Sequence, residues 1–207
     1  MDLLIVLDAS GSMEPHWSSI ITFVDNLVVA FAGGRSVGTN GIQMGLMTFH
    51  NGPTSQLTFS ATTSLTVMTT AISGLPLPLP THLTDMAAAL RFAQTNMLLT
   101  SEGMRGPSIP KTIIFITDGV STSVPTTATG TAAAALKTYL AGLGAVSADI
   151  FAIGVGPGLY DRAQLEEIAT NNIDTNLPNV YTAEYNNVDA HIGPLVKAAC
   201  EGVAYVK

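Results

Sequence analysis

The apolar residues of this chain follow two patterns, short continuous runs and longer runs with a helical period. Short runs bounded by turn residues are typical of buried strands, and a period near 3.6 is typical of helices packed on one face. The strands predicted in this way are Leu3–Leu7, Ile42–Phe49, Gln56–Phe59, Lys111–Thr117, Ala148–Val155 and Asn179–Thr182. The predicted helices are His16–Ala32, Leu65–Ile72, one capped by Thr84 or Asp85, one around Thr131–Leu143, Asp161–Thr170, and Asn187–Cys200 with an interruption near Gly193-Pro194.

The alternation of strands and helices predicts an α/β fold with a doubly wound, mostly parallel sheet and helices on both faces. One strand departs from the parallel order, because the turn residues Asn51-Gly52-Pro53 favour a hairpin before Gln56–Phe59. That strand is expected to form an antiparallel edge. With 207 residues, of which 47% are hydrophobic, the chain suits a single domain over residues 1–207. The prolines of Gly74–Pro80 predict a stiff, exposed, extended connection.

Charge and composition exclude some partners. The net charge is -7 with only 8 Lys and Arg residues, which form no cluster, so we expect no nucleic-acid binding. No run is long enough to insert in a membrane, and Met1 is followed by an acid rather than a signal peptide. Read literally, the chain is cytosolic; an excised domain with an added Met explains the abrupt start equally well. Cys200, the only cysteine, is either buried or half of a bridge to a cysteine outside the chain.

The first strand leads directly into candidate chemistry. Asp8, Ser10 and Ser12 occupy alternate positions after the apolar run, so their oxygens can face one point in a curled loop. Carboxylate and hydroxyl oxygens are hard ligands that suit Mg²⁺, Mn²⁺ or Ca²⁺ better than zinc. The alternative is an ordinary strand-to-helix turn in which the serines act only as caps.

Two further residues belong to the same predicted edge of the sheet. Asp118 follows the strand Lys111–Thr117, and Thr84 lies at the start of a helix. Because parallel strands end at one edge, these residues can converge on Asp8 despite their distance in sequence.

Three segments resemble the signature segments of the von Willebrand factor A domain: DLLIVLDASGSM, LTDMAAALRFA and KTIIFITDGVST. IFAIGVG with LEEIAT is similar to that family's fifth strand and following helix. The resemblance implies a metal-ion-dependent adhesion site (MIDAS) whose ligands are Asp8, Ser10, Ser12, Thr84 and Asp118. Two departures concern the middle loop: Leu83 stands where a glycine is usual, and the stretch Pro76–Pro80 is long. Thr81 and His82 are alternative contacts at the rim of the site.

The resemblance also implies a function. Mg²⁺, or else Mn²⁺ or Ca²⁺, is expected to capture a Glu or Asp side chain of a protein partner, such as collagen or another matrix or adhesion protein. We therefore expect an extracellular, secreted or cell-surface module, a monomeric domain of a larger protein, that binds without catalysis. The alternatives are an intracellular module that engages an ATPase or chelatase-type partner, and a structural matrix domain with a non-essential metal site.

Enzyme interpretations fit the sequence poorly. A haloacid-dehalogenase-type phosphatase needs a second aspartate where Ser10 stands, and DASGS is not the G-x-S-x-G of a hydrolase. Gly154, Gly156 and Gly158 follow a late strand and lack the spacing of a dinucleotide loop, so a tight turn explains them better. His16 and Trp17 are expected to pack rather than to bind.

Overall fold

The computed structural model of the protein describes residues 1–122, 128–158, 160–172 and 174–204, with side chains up to residue 200. Its strands are β1 Asp2–Asp8, β2 Gln43–Phe49, β3 Pro53–Leu57, β4 Lys111–Thr117, β5 Ala148–Val155 and β6 Val180–Ala183. Its α-helices are α1 Trp17–Ala32, α2 Leu65–Ser73, α3 Met86–Phe92, α4 Ala128–Gly142, α5 Arg162–Ile168 and α6 Ile192–Ala204. Shorter helical turns are Gly11–His16, Ala93–Met97 (a π turn), Thr100–Glu102 and Val188–His191.

The strands form one six-stranded sheet in the order β3-β2-β1-β4-β5-β6. All neighbouring pairs are parallel except β2 and β3, so the predicted fold class with one antiparallel edge strand is confirmed. Strands β1 and β4 lie side by side in the centre, with Leu7 opposite Ile116. Their carboxyl ends therefore open at the same place on the sheet edge.

Hydrophobic cores cover both faces of the sheet. Leu3, Ile5 and Leu7 of β1 point to a core that includes residues of α1, α2 and α6. Leu4 and Val6 point the other way, to a core with α3, α4 and α5. Because successive side chains of a strand face opposite sides, a strand buried on both faces must be apolar throughout, as β1 is.

Two predicted elements are placed wrongly along the chain. Strand β3 begins at Pro53, not Gln56: an edge strand tolerates proline at its first position, and Phe59 instead leaves the strand and is buried. Helix α6 is not interrupted at Gly193-Pro194, because Pro194 lies in its first turn, where the missing N–H would have had no helical acceptor. The irregularity lies before it, in the Val188–His191 turn.

The helix caps, the proline segment and Cys200 can be compared with the sequence predictions one by one. Asp85 is the N-cap of α3, and its Oδ1 accepts from the Ala88 N–H at 2.9 Å. Asp161 caps α5 in the same way. The segment 74–80 contains no helix or strand, and its Leu77 and Leu79 are exposed. Cys200 is a free, half-buried thiol. No helix in the described part of the chain is long and apolar enough to cross a membrane.

A buried charge cluster closes the opposite edge of the sheet. The Lys111 ammonium donates to Asp2 Oδ2 at 2.9 Å and to the carbonyls of Arg105, Gly106 and Ile109. Arg105 Nε donates to Asp2 Oδ1 at 2.7 Å. Lys111 and Asp2 are almost fully buried, so the Lys111 charge depends on Asp2 for compensation, while the Asp2 carboxylate is shared between Lys111 and Arg105.

Candidate metal centre

The ends of β1 and β4 bring Asp8 and Asp118 together, as the sequence pattern predicts. Ser12 connects them: its hydroxyl donates to Asp118 Oδ1 at 2.7 Å and lies 3.1 Å from the Ser10 hydroxyl oxygen. The Ser10 N–H donates to Asp8 Oδ1 at 2.8 Å, which closes the loop around its own carboxylate. Asp8, Ser10 and Asp118 are buried, whereas Ser12 is exposed. Four of the five predicted ligands thus form one connected cluster that opens toward solvent at Ser12.

Thr84 completes the set from the loop before α3. A Cβ placed on Gly119 would lie 3.5 Å from Thr84 Oγ1 and 4.0 Å from Ser12 Oγ, so both hydroxyls lie on one side of Gly119. The Thr84 carbonyl accepts from the Thr122 N–H at 2.7 Å, which ties the Thr84 loop to the loop after β4. All five predicted residues therefore meet at one point of the sheet edge.

The middle loop is held in place despite its departures from the family pattern. The Leu83 N–H donates to Asn51 Oδ1 at 2.6 Å, and the Asp85 N–H donates to the His50 carbonyl at 3.0 Å. Leu83 can stand where a glycine is usual because its side chain, which is 56% exposed, points into solvent. Gly11 fits closely under the end of the proline segment, because a Cβ there would collide with the Pro80 carbonyl.

Histidines near the site contact the protein rather than the cluster. His82 Nδ1 lies 3.3 Å from the Ala9 carbonyl oxygen, and the His82 ring stacks on His50 with centroids 4.0 Å apart. His16 stacks on Tyr185 at 3.8 Å, and Trp17 is buried in the α1 core. These contacts give His16, Trp17 and His82 packing roles. Thr81 is exposed beside them.

Sequence reasoning missed two residues that hold the carboxylates. Thr117 Oγ1 donates to Asp8 Oδ2 at 2.5 Å, and the Tyr185 hydroxyl donates to Asp118 Oδ2 at 2.6 Å. Thr117 could have been noticed as a polar residue at the end of an apolar strand. Nothing around Tyr185 signals its role, because it reaches Asp118 across 67 residues from the loop after β6.

The electrostatics of the cluster favour a cation. Burial raises the pKa of Asp8 to about 7, and the neighbouring Asp118 charge adds to the effect, while hydrogen bonds from Thr117 and Ser10 oppose it. Burial and the bond to Asp118 raise the pKa of Tyr185, so its hydroxyl stays a donor. The described ion pairs all lie elsewhere and involve Asp2 and Glu166. Two adjacent buried carboxylates without a basic partner in the described residues bind either a proton or a cation.

The donor set fits a hard divalent ion. It consists of two carboxylates and three hydroxyls, all of them oxygen ligands. The described residues contain no group of three or more His, Cys, Asp and Glu side chains that could hold a metal ion, so any ion bound at this cluster depends on the hydroxyl oxygens as well as the two carboxylates. Asp8, Ser10, Ser12, Thr84 and Asp118 are thus the residues that could hold Mg²⁺, Mn²⁺ or Ca²⁺.

Comparisons with known proteins agree with this geometry. The family profile of the von Willebrand factor type A domain matches residues 2–189. Among solved structures, proximal thread matrix protein 1 from the mussel byssus is similar, with a TM-score of 0.79, 23% identity and coverage of 96% of this chain and 48% of that one. A second structure of the mussel protein, described as having a zinc-occupied MIDAS motif, has a TM-score of 0.78, 24% identity and the same coverage.

A third similar structure is the conserved hypothetical protein BatB from Bacteroides thetaiotaomicron, with a TM-score of 0.67, 16% identity and coverage of 99% of both chains. A sequence search of curated proteins finds no significant match. The chain spans about half the length of the mussel protein, and at these identities the structural similarity concerns the fold. Since the family profile covers nearly the whole chain, the protein belongs to the von Willebrand factor type A domain family.

Proposed function

We propose that this domain binds a protein partner through a divalent metal ion held by Asp8, Ser10, Ser12, Thr84 and Asp118. The observation that carries the proposal is the pair of fully buried carboxylates, Asp8 and Asp118, linked through Ser10 and Ser12 and lacking a basic partner among the described residues. When bound, the ion acts as a Lewis acid that accepts a further anionic oxygen.

The partner group is a Glu or Asp side chain. Neutral hydroxyls fill ligand positions without cancelling the ion's charge, so an incoming carboxylate gains a strong attraction. The protein carries a net charge of -7, so an acidic partner segment needs a local cation to approach this edge. Mg²⁺ is the resident ion we propose, with Mn²⁺ and Ca²⁺ as substitutes.

The activity is capture without turnover. The hydroxyls of Ser12 and Thr117 are donors to Asp118 and Asp8, and the three nearby histidines engage backbone or ring partners. None of these groups is a free nucleophile or general base beside the cluster. The mussel matrix protein with its zinc-occupied MIDAS supports an extracellular matrix setting. We therefore favour adhesion over engagement of an intracellular ATPase.

The test is binding to a panel of immobilised matrix proteins, including collagens, in Mg²⁺ and in EDTA. We expect at least one partner that binds in Mg²⁺ or Mn²⁺ and is released by EDTA. A partner that binds equally well in EDTA would mean that the protein adheres through another face.

Tyr185→Phe is expected to weaken Mg²⁺ binding about 10- to 100-fold, the usual effect of losing a hydrogen bond that orients a metal ligand. The change removes only the hydroxyl that donates to Asp118 Oδ2 and keeps the ring that stacks on His16. Calorimetry measures the affinity. Tyr181→Phe is the matched control, since it lies on β6 and its ring packs against Phe151. Equal affinities for both variants would remove Tyr185 from the site.

Metal affinity is expected to fall as the pH drops below about 7. The metal-free protein holds a proton on Asp8 up to about pH 7, and that proton must leave before the carboxylate can bind an ion. Affinity should therefore be about tenfold weaker at pH 6 than at pH 8. Titrations in buffers of different ionisation enthalpy report the released proton. An affinity that stays constant over this range would contradict proton competition at Asp8.

A further inference from the structure

A cavity of about 210 Å³ lies directly beside the candidate metal loop. It is lined by the proline segment 76–78, by Thr54 and Gln56 of edge strand β3, and by the buried side chain of Trp17. We call it the side pocket. Its volume exceeds the roughly 150 Å³ of an apolar protein cavity that accommodates benzene, so an aromatic ring or a branched aliphatic side chain fits.

Two residues that line the side pocket are close neighbours in sequence of the candidate metal ligands. Ala9, which lines it, stands between the predicted ligands Asp8 and Ser10. His82, which also lines it, stands two residues before Thr84 and contacts the Ala9 carbonyl. An extended peptide advances about 3.3 to 3.6 Å per residue. A partner segment whose carboxylate lies at the metal can therefore place a nearby side chain in the pocket.

The lining selects an uncharged occupant. It contains no Asp, Glu, Lys or Arg, so a charged side chain would lose its hydration without gaining a counter-charge. Its polar groups are largely paired within the protein: Gln56 Nε2 donates to Thr48 Oγ1 at 2.8 Å, and His50 Nδ1 accepts from the Asn51 N–H at 2.7 Å. The Trp17 indole N–H is itself buried, so it presents no exposed donor to a molecule in the pocket.

Exposed apolar side chains extend this surface around the metal edge. Leu77 and Leu79 are each 58% exposed. Leu83, 56% exposed, precedes the predicted ligand Thr84, and Val120, 47% exposed, lies two residues after Asp118. Folding gains nothing from leaving these side chains in water. A partner that covers them removes their apolar surface from water, which stabilises the complex by roughly 25 cal/mol per Å² of that surface.

We propose that the side pocket takes a bulky apolar side chain of the partner, aromatic or branched aliphatic, within a few residues of the acidic side chain captured by the metal. The proposal rests on the proposed function and adds the partner's chemistry: an acidic residue with a large apolar neighbour. Two anchors in one segment also fix its direction across the site, because the pocket lies on the β3 side of the metal loop.

The test uses an array of immobilised peptides with one central Glu, in which every neighbouring position is replaced in turn by each amino acid. Labelled domain is applied in Mg²⁺ and in EDTA. We expect peptides with Phe, Leu or Ile at one neighbouring position to bind at least tenfold better than the peptide with Ala there. Trp17 is the only tryptophan of the chain, so its emission should change with the preferred peptide and not with the Ala peptide.

Two pairs of variants test the location of the pocket. Thr54→Tyr fills the pocket from an exposed position on β3, and Ser55→Tyr, its neighbour on the opposite face of the strand, is the control. Leu77→Ser removes an exposed apolar lining residue, and its control Leu177→Ser removes a leucine of comparable exposure (58% and 65%) at the other edge of the sheet. Thr54→Tyr and Leu77→Ser should lose the preference for apolar neighbours and keep metal-dependent binding of the Ala peptide.

The outcomes separate this proposal from the proposed function. Metal-dependent binding of Glu peptides with no preference for an apolar neighbour overturns the side pocket alone. An unchanged preference in Thr54→Tyr and Leu77→Ser places the apolar contact elsewhere and overturns it as well. If no Glu peptide binds in Mg²⁺, both proposals fail together.

Discussion

Replacing Asp118 with asparagine is expected to weaken divalent-metal binding more than 100-fold, beyond detection by calorimetry. Asparagine keeps nearly the same shape, but its one oxygen can replace only one of the two acceptors that Ser12 and Tyr185 use. It also removes one of the two charges that balance the ion. Loss of a hydrogen bond that orients a metal ligand lowers metal affinity about 10- to 100-fold, and loss of a charged ligand should lower it further.

Asp161→Asn is the matched control for this experiment. Asp161 lies on the same edge of the sheet and caps α5, and asparagine is as good an N-cap as aspartate. The Asp161→Asn variant should bind Mg²⁺ as tightly as the wild type does. Circular dichroism shows whether each variant is folded. Asp118→Asn binding within a few-fold of the wild type would exclude Asp118 from the metal site.

Replacing Lys111 with methionine is expected to lower the free energy of unfolding by about 3 kcal/mol. Methionine fits the stem of lysine but leaves Asp2 with one partner fewer and removes the donor to the carbonyls of Arg105, Gly106 and Ile109. Breaking a buried ion pair usually costs about 3 to 5 kcal/mol, and the lower end is expected because Arg105 still contacts Asp2. Urea denaturation measures the change.

Arg162→Gln provides the comparison for the Lys111 variant. It breaks the Arg162–Glu166 pair, whose N–O distance of 2.8 Å is as short as that of the buried pair, but whose side chains are 62% and 42% exposed. Exposed ion pairs contribute little to stability, so the free energy of unfolding should fall by less than about 0.5 kcal/mol. Equal losses in the two variants would mean that burial does not determine the strength of these contacts.

The sequence predicted the sheet and the convergence of the candidate site because both depend on strong patterns. Continuous apolar runs ending in Asp8 and before Asp118 define central parallel strands, and parallel strands must end at one edge. Thr84 followed from its spacing to α3 in the family pattern. The metal-binding role of these residues stays a prediction until an ion is measured.

What the sequence did not predict depends on tertiary packing. Tyr185 reaches Asp118 from a loop with no local motif, and the side pocket exists only because the proline segment packs beside β3 and Trp17. The start of β3 at Pro53 and the continuous α6 were missed because proline was treated as a breaker, whereas position within the element decides its effect.

The most direct test of metal-dependent carboxylate capture is anomalous diffraction from crystals grown with Mn²⁺ and glutamate. The expected result is one manganese peak among Asp8, Ser10, Ser12, Thr84 and Asp118, with a carboxylate of glutamate on its solvent side. No manganese peak at this cluster, or a peak with no carboxylate bound at saturating glutamate, would contradict the proposal.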